Sequence, residues 1–307
     1  METIYILGSG TIGFALAANL VHAGKKVIAV RTSRDDIDKT MIQVTVGMAE
    51  NQIKASIETI SLSKLPRLEG ILVITAKSYA NESIAAQLRG KTADSPIILL
   101  QNGVGVETPF LNADFSQVYR CVLYATSQAA SENEFRFRPI TASPIGIIRG
   151  DEAGLNHCIS ALHTDGFPFR AEADIQREVW KKAIINAVFN SICPLLEVDN
   201  GIFIRDESVR EMAAEVIREC VMLMGKLQVN LTQAEIMEQL LAISKRSDGQ
   251  LISTLQDIQA GRKTEIESLN LEIARIANSM QMEVPKTELL GKMILAKSQK
   301  AIKTVHE

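Results

Sequence analysis

The sequence predicts an α/β protein in which a doubly wound, parallel-sheet domain (residues 1–172) precedes an all-α domain (173–307). Three observations carry this expectation. Short, continuous apolar runs alternate with helical stretches through the first half, as strands buried on both faces of a parallel sheet do. A glycine-rich turn joins the first run to the first helix. From about residue 173 the chain is filled with long segments of helical period.

Residues 3–7, Thr-Ile-Tyr-Ile-Leu, form the first expected strand, and 11–23 the first helix, stopped at Gly24. Further strands are expected at 26–31, 70–75 and 96–100, each a short apolar run. Between about 116 and 148 the pattern changes. Glu134-Phe135-Arg136-Phe137-Arg138 alternates apolar and polar residues, which indicates antiparallel strands with one wet face. A last strand is expected near 167–171. Helices then cover 174–193, 206–228, 232–245 and 250–281, and 286–304 after Pro285.

The bulk numbers exclude several classes. The 307 residues suffice for two domains, and 46% apolar with 22% charged residues is ordinary for a soluble globular chain. A net charge of −3 without any basic run gives no sign of nucleic-acid binding. No apolar run approaches a membrane span, and no signal segment is expected before the first strand. Cys121, Cys158, Cys193 and Cys220 are scattered, with no CxxC and no neighbouring His. They read as reduced core residues of a cytoplasmic protein, and no metal site is expected. The apolar stripes of the helical half would serve a large internal core or a homodimer interface, so monomer and homodimer both stay open.

Gly8-Ser9-Gly10-Thr11-Ile12-Gly13 is a G-x-G-x-x-G that follows a strand and opens a helix. In that setting the glycines allow a tight turn, close backbone approach to a pyrophosphate and close helix–strand packing. The helix N-terminus supplies N–H groups to the anion. The first domain is therefore read as a Rossmann-type dinucleotide-binding domain. A carboxylate at the end of the second strand would bind ribose hydroxyls; this chain has Arg31-Thr32-Ser33-Arg34 instead. Two guanidiniums suit a 2′-phosphate, so NADP(H) is the expected cofactor, solvated loop arginines being the bland alternative. Asp35 and Asp36 are expected to start the next element.

The helix 178–190 is apolar but for a stripe. Lys182, Asn186 and Asn190 recur every four residues and stay within about an 80° arc of one face. A cation and two amides are costly to bury without partners, so the stripe faces water or lines a polar cavity. Lys77 follows the strand 70–75, and Asn102-Gly103-Val104-Gly105 follows 96–100; strand C-terminal ends are where open α/β sheets bind ligands. A further polar island runs from Ser253 through Gln256-Asp257 and Gly261-Arg262 to Thr264-Glu265-Ile266 and Asn270.

With these motifs the chain resembles the ketopantoate reductase (2-dehydropantoate 2-reductase) family over nearly its whole length. The motifs are the glycine turn, Lys77, Asn102-Gly103, the Trp180-x-Lys182-x-x-x-Asn186-x-x-x-Asn190 helix, Asn200-Gly201 and the Ser253…Glu265-Ile266 segment. The resemblance implies NADPH-dependent reduction of 2-dehydropantoate, a small-molecule 2-keto acid, to (R)-pantoate on the way to pantothenate and coenzyme A. It implies that Lys182 is the catalytic lysine and Glu265 the glutamate near the substrate hydroxyl. It places Asn102, Asn186, Asn190 and Ser253 at substrate-contacting positions, and Lys77 and Asn102 close to the cofactor. The chain departs from the family pattern at Ser191, where Pro is common, at Glu267 and Leu271, and at Ala80, where a polar residue is usual. Ala80 bears on the substrate, so a paralogous reductase of another 2-keto acid is the nearest alternative. A non-catalytic NADP(H)-binding regulator is the other. Bland readings also stand: Lys182 as a surface lysine, Ser253 as a helix N-cap, and Asn102 as a turn residue.

Overall fold

The structure, a computed structural model, describes residues 2–49 and 51–306. The chain divides into two compact units. The first runs to Gln101 and resumes over Val106–Ile175; the second comprises Asn102–Gly105 and everything from Gln176 onward.

In the first unit, β1 (Thr3–Leu7) leads through the glycine turn into α1 (Thr11–His22) and then β2 (Lys26–Arg31). β3 (Thr40–Gly47) and β4 (Gln52–Ser61) follow, then β5 (Gly70–Ile74), α2 (Asn81–Leu88), β6 (Ile97–Leu99) and α3 (Thr108–Asn112). The remainder is β7 (Val118–Cys121), β8 (Ala125–Ala129), β9 (Glu134–Pro139), β10 (Ser143–Arg149), α4 (Glu152–Leu162) and β11 (Phe169–Ala171). Among the described residues, eleven strands join one sheet in the order β11-β10-β7-β6-β5-β1-β2-β4-β3-β9-β8. Its centre, β4-β2-β1-β5-β6-β7, is parallel throughout. Counted along the chain, those six strands stand in the order 3-2-1-4-5-6 of a dinucleotide-binding sheet, whose order reverses between β1 and β5. The central strands are buried because α1 packs on one face, with Phe14, Leu16 and Leu20 inside, and Ile84, Leu88 and Phe110 of α2 and α3 fill the other.

The expected α/β order is present, with three corrections. The sequence reading assigns no strand between 32 and 69, yet β3 and β4 pair there as an antiparallel ribbon. Their signal is a period of two: Ile53, Ala55 and Ile57 point inward while Lys54, Ser56 and Glu58 point to solvent. Within the antiparallel stretch expected over 116–148, β7 pairs in parallel with β6 and closes the core sheet. The expected helix 250–281 is broken. α9 (Ser253–Gln259) ends at Gly261, whose φ of 61° is left-handed. Gly261 N–H donates to the Ile258 carbonyl and Arg262 N–H to that of Asp257, the paired bonds that close a helix C-terminus.

The second unit is helical: α5 (Ile175–Leu196), α6 (Ile202–Arg205), α7 (Glu207–Leu227), α8 (Gln233–Arg246), α9, α10 (Asn270–Ser279) and α11 (Pro285–His306). After α5, Asp199 locks the turn into α6. Its Oδ1 accepts from the backbone N–H of Gly201 (2.7 Å) and Gly249 (3.1 Å), and its Oδ2 from Arg205 (2.7 Å). The Arg205 hydrogen bond, assisted by the two backbone donors, lowers the Asp199 pKa to about 2. A depressed carboxyl contributes stability that is present above its unfolded pKa of about 3.9 and is lost as pH falls through the folded value. Asp199→Ala is therefore expected to lower the unfolding midpoint by an amount constant from neutral pH to about 4.5 and shrinking below it. Denaturant titrations across that range check this; a deficit independent of pH would contradict the charge argument.

Candidate active site

The nucleotide cradle lies in the first unit, at the C-terminal end of β1. Gly8 has φ 119°, and a Cβ there would fall on the Ala76 backbone; one on Gly13 would strike the Gly8 carbonyl. Thr75 Oγ1 donates to the Gly8 carbonyl at 2.6 Å and fixes the turn from below. Gly10, the N-cap of α1, has nothing within 4 Å of where its Cβ would stand, so that side of the turn is open. No side chain caps α1, and no acid lies in its first turn. The N–H groups of its first turn, beginning at the half-buried Thr11 and Ile12, are left for an anion. Ser9 Oγ is buried with no hydrogen-bond partner among the described residues, and it is a donor that a pyrophosphate oxygen would satisfy. The cradle fits a dinucleotide.

Arg31 ends β2. Its guanidinium lies 5.3 Å from the Phe14 ring centroid, and its Nε is buried without a partner among the described residues. Burial, and then the charge of Arg34, pull its pKa below the usual arginine value, with Glu132 opposing. Arg34 is exposed and grips Asp36 with two hydrogen bonds, of 3.3 and 3.1 Å. Asp35 and Asp36 do not start an element, since no helix or strand intervenes before Thr40; Asp36 instead serves as the partner of Arg34. Lys77 is half-buried where the chain leaves β5, just before the short turn Ser78–Ala80.

The second cluster belongs to the helical unit and is built on α5. Two adjacent lysines are set apart by their neighbours. Lys181 pairs with Glu178 at 3.0 Å, one turn back, while Lys182 stands on the stripe with Asn186 and is half-buried. Asn190 is 4% exposed, and its amide is engaged. Its Nδ2 donates to the Asn186 carbonyl (2.9 Å), and its Oδ1 accepts from Thr254 Oγ1 (2.7 Å). Thr254 is buried in turn, so this bond ties the first turn of α9 to the stripe of α5 and brings exposed Ser253 with it. Ser253 is not the N-cap; Ile252 is.

After α9, Arg262 holds Asp257 through Nε (2.9 Å) and a second guanidinium contact (2.8 Å), which turns the chain toward half-buried Glu265. The Glu265 carbonyl accepts from both the N–H and the hydroxyl of Ser268, each at 3.0 Å. The Ser268 carbonyl accepts from Val104 N–H (3.0 Å), which anchors the Asn102–Gly105 segment to the Glu265 turn. Asn270 Nδ2 reaches the Ala187 carbonyl (3.2 Å) and fastens α10 to α5 beside Asn186. Stripe, α9 start, Glu265 turn and Asn102 segment are thus linked within one unit. The result is a surface with one half-buried cation, several amides, a hydroxyl and one carboxylate.

Sequence reasoning gives Thr254 and Asp257 a place in the motif but no role, and it misses Asn81 and Gln101 altogether. Asn81 and Gln101 each adjoin a residue that it does find, Ala80 and Asn102. Among the described residues no group of three or more His, Cys, Asp or Glu could hold a metal ion, and no helix is long and apolar enough to cross a membrane.

Comparison with known proteins identifies the family and the fold. The family description "Ketopantoate reductase PanE/ApbA" matches residues 4–148, and "Ketopantoate reductase PanE/ApbA C terminal" matches 174–298. A 2-dehydropantoate 2-reductase from Pyrococcus horikoshii is 26% identical over 301 residues, which is 96% of this chain and 97% of the relative. One from Aquifex aeolicus is 24% identical, covering 95% and 96%. Among solved structures, a dimeric ketopantoate reductase from Staphylococcus aureus shares the fold at TM-score 0.82 and 18% identity, covering 97% of this chain and 99% of that one. A D-mandelate dehydrogenase with NADH and anilino(oxo)acetate does so at 0.84 and 17%, with the same coverage. The chain belongs to the ketopantoate reductase family of nicotinamide-dinucleotide-dependent oxidoreductases.

Proposed function

We propose that this chain reduces the ketone of 2-dehydropantoate to (R)-pantoate with NADPH, a step toward pantothenate and coenzyme A. The observation that carries the reading is the α5 stripe, which sets Lys182, Asn186 and Asn190 along one face of the helix, with the Asn190 amide bonded to the Asn186 carbonyl and to Thr254. Family membership, and relatives named for this activity, support it.

When bound, the reduced nicotinamide supplies a hydride to the ketone carbon. That addition leaves negative charge on the carbonyl oxygen. The Lys182 ammonium stabilises the charge as it develops and gives the oxygen its proton, then regains one from solvent. Glu265 orients the ammonium or accepts a substrate hydroxyl. Ser253 and Asn186 hydrogen-bond the polar groups of the keto acid without adding charge, and Asn190 serves by position, since its amide is already engaged. Asn102 contributes from the segment anchored on Ser268. Ser9, Gly10, Thr11 and Ile12 hold the pyrophosphate, and Lys77 serves the cofactor at the strand-β5 end.

NADP(H) is favoured over NAD(H) by the arginine pair. Arg31 and Arg34 repel one another, and Arg31 Nε lacks a partner. A 2′-phosphate offers both a charge that relieves the repulsion and an acceptor for the orphaned donor. We also place the enzyme in the cytoplasm, in keeping with four free, buried cysteines, and take it to act as a homodimer or a monomer.

Lys182→Ala is expected to lower kcat at least about 100-fold while NADPH binding persists, the usual loss for a general acid. Stopped-flow or steady-state oxidation of NADPH at 340 nm with ketopantoate, beside a panel of 2-keto acids, checks this. Near-normal turnover would remove Lys182 from the mechanism, and preference for another keto acid would move the substrate to a paralogous one. Replacing Arg31 and Arg34 together by Ala should weaken NADPH binding about 10- to 100-fold, as the loss of charged hydrogen bonds does, and NADH binding less than threefold. Fluorescence titration of both nucleotides decides it; equal losses would show that the pair does not read the phosphate.

A further inference from the structure

Lys77 and Asn102 sit on chain segments with no regular structure, and loop segments hold a side chain only as well as their own backbone is held. The structure shows what holds these. Asn81, the first residue of α2, is 2% exposed, and Gln101, just beyond β6, is 7% exposed. Asn81 Nδ2 donates to Gln101 Oε1 at 2.9 Å, and Gln101 Nε2 donates back to Asn81 Oδ1 at 2.6 Å, closing a ring of two amides. The second hydrogen of each amide goes to backbone: Asn81 Nδ2 to the Val106 carbonyl at 2.8 Å, and Gln101 Nε2 to the Ala76 carbonyl at 2.6 Å. All four amide hydrogens and both oxygens are used, so the ring has no slack and one register.

The backbone points it grips are Ala76, the residue before Lys77; Gln101 itself, the residue before Asn102; and Val106, where the 102–105 excursion ends. We infer that the Asn81–Gln101 amide pair is a positioning device for the proposed reduction. It sets the strand-end segment that carries Lys77 and closes the neck of the excursion that carries Asn102. A pair of apolar side chains would fill the same space at no cost in desolvation, and would leave the Ala76 and Val106 carbonyls without these bonds and each segment with one tie fewer. The inference rests on the reading that Lys77 and Asn102 serve this reaction.

The test uses the full-length protein and two readouts. The first is backbone hydrogen exchange of the ligand-free chain. Asn81→Leu should speed exchange at 76–78 and 101–106 about tenfold or more, while β1 and β2 stay as protected as in wild type. The second is a kinetic cycle with NADPH and ketopantoate. Asn81→Leu should lower kcat/KM at least tenfold at a temperature where the variant is fully folded. In a Lys77→Ala, Asn102→Ala background the same change should cost less than threefold, because there is nothing left to position. Gln101→Met breaks the ring from the other side and replaces Asn81→Leu should that variant fail to fold. Unchanged local exchange overturns the inference, and so does a kcat/KM loss of equal factor in both backgrounds, which a general loss of stability would give. A wild-type protein inert toward ketopantoate would overturn the functional reading instead, and exchange would still decide whether the ring sets the two segments.

Discussion

A buried amide is stable only as far as it finds partners inside the protein, and this constraint organises the candidate site. Leaving one amide group unpaired in the interior costs about 1–3 kcal/mol, comparable with a tenth or more of a domain's whole stability. Asn190 meets the constraint on both its nitrogen and its oxygen. Buried on an apolar helix, it takes the Asn186 carbonyl for its N–H and the Thr254 hydroxyl for its oxygen. Because Thr254 is itself buried, neither partner can turn to water, and α9 has one place to start relative to α5. Ser253 inherits that place. The Lys182–Asn186 stripe of α5 and the Ser253 hydroxyl at the start of α9 are thus tied to one another through the Asn190–Thr254 bond.

The nucleotide cradle obeys the opposite logic. Two of its buried polar atoms are left unpaired by the protein, as a site shaped for an anionic ligand would leave them. Gly8 and Gly13 bring β1, α1 and the Ala76 backbone so close that no side chain fits. The first turn of α1 is left without a capping side chain or an acid. Ser9 Oγ and Arg31 Nε are buried and unsatisfied. Such groups are rare in folded proteins, and each of these two is a donor that a bound anion would satisfy. Arg34 and Asp36 temper the arrangement. Their bond is exposed on both sides, hence weak and easily exchanged, and it keeps the loop's second guanidinium near the first at small cost.

Much of this was legible in the sequence. The strands 3–7 and 26–31 and the helix after the glycine turn stand where the apolar runs put them, because a strand buried on both faces has no other composition open to it. The ribbon of β3 and β4 escaped because its inward residues include small ones such as Ala55, and a period of two over mixed small residues is a faint signal. α4 carried its own signature in Asp151, whose carboxylate accepts from Gly154 N–H at 2.7 Å, yet the cap precedes a helix of only moderate amphipathic contrast. The break at Gly261 was written in the sequence too, and was overridden by the helical period on either side. What no local pattern could show is pairing at a distance: Asn190 with Thr254, 64 positions on, or Asn81 with Gln101, 20 positions on. Amides are common in turns and caps, so their spacing says little until tertiary structure brings them face to face.

In the reaction proposed above, the polar wall of the helical unit would meet a carboxylate-bearing substrate with amides and a hydroxyl rather than with arginines, and the difference is chemical. A second cation beside Lys182 would bind the keto acid more tightly in its ground state as well as in the transition state, which raises affinity without raising turnover. It would also compete with the lysine for the charge that appears on the carbonyl oxygen only as the reaction proceeds. Amide and hydroxyl donors orient the acid without supplying that competing field, so the strongest electrostatic response is reserved for the oxygen that changes charge. The neighbouring lysine follows the same rule. Lys181 is bound to Glu178, and the two carry little net charge between them. The helix thereby keeps two adjacent cations in sequence while presenting one of them, Lys182, on the stripe with the amides.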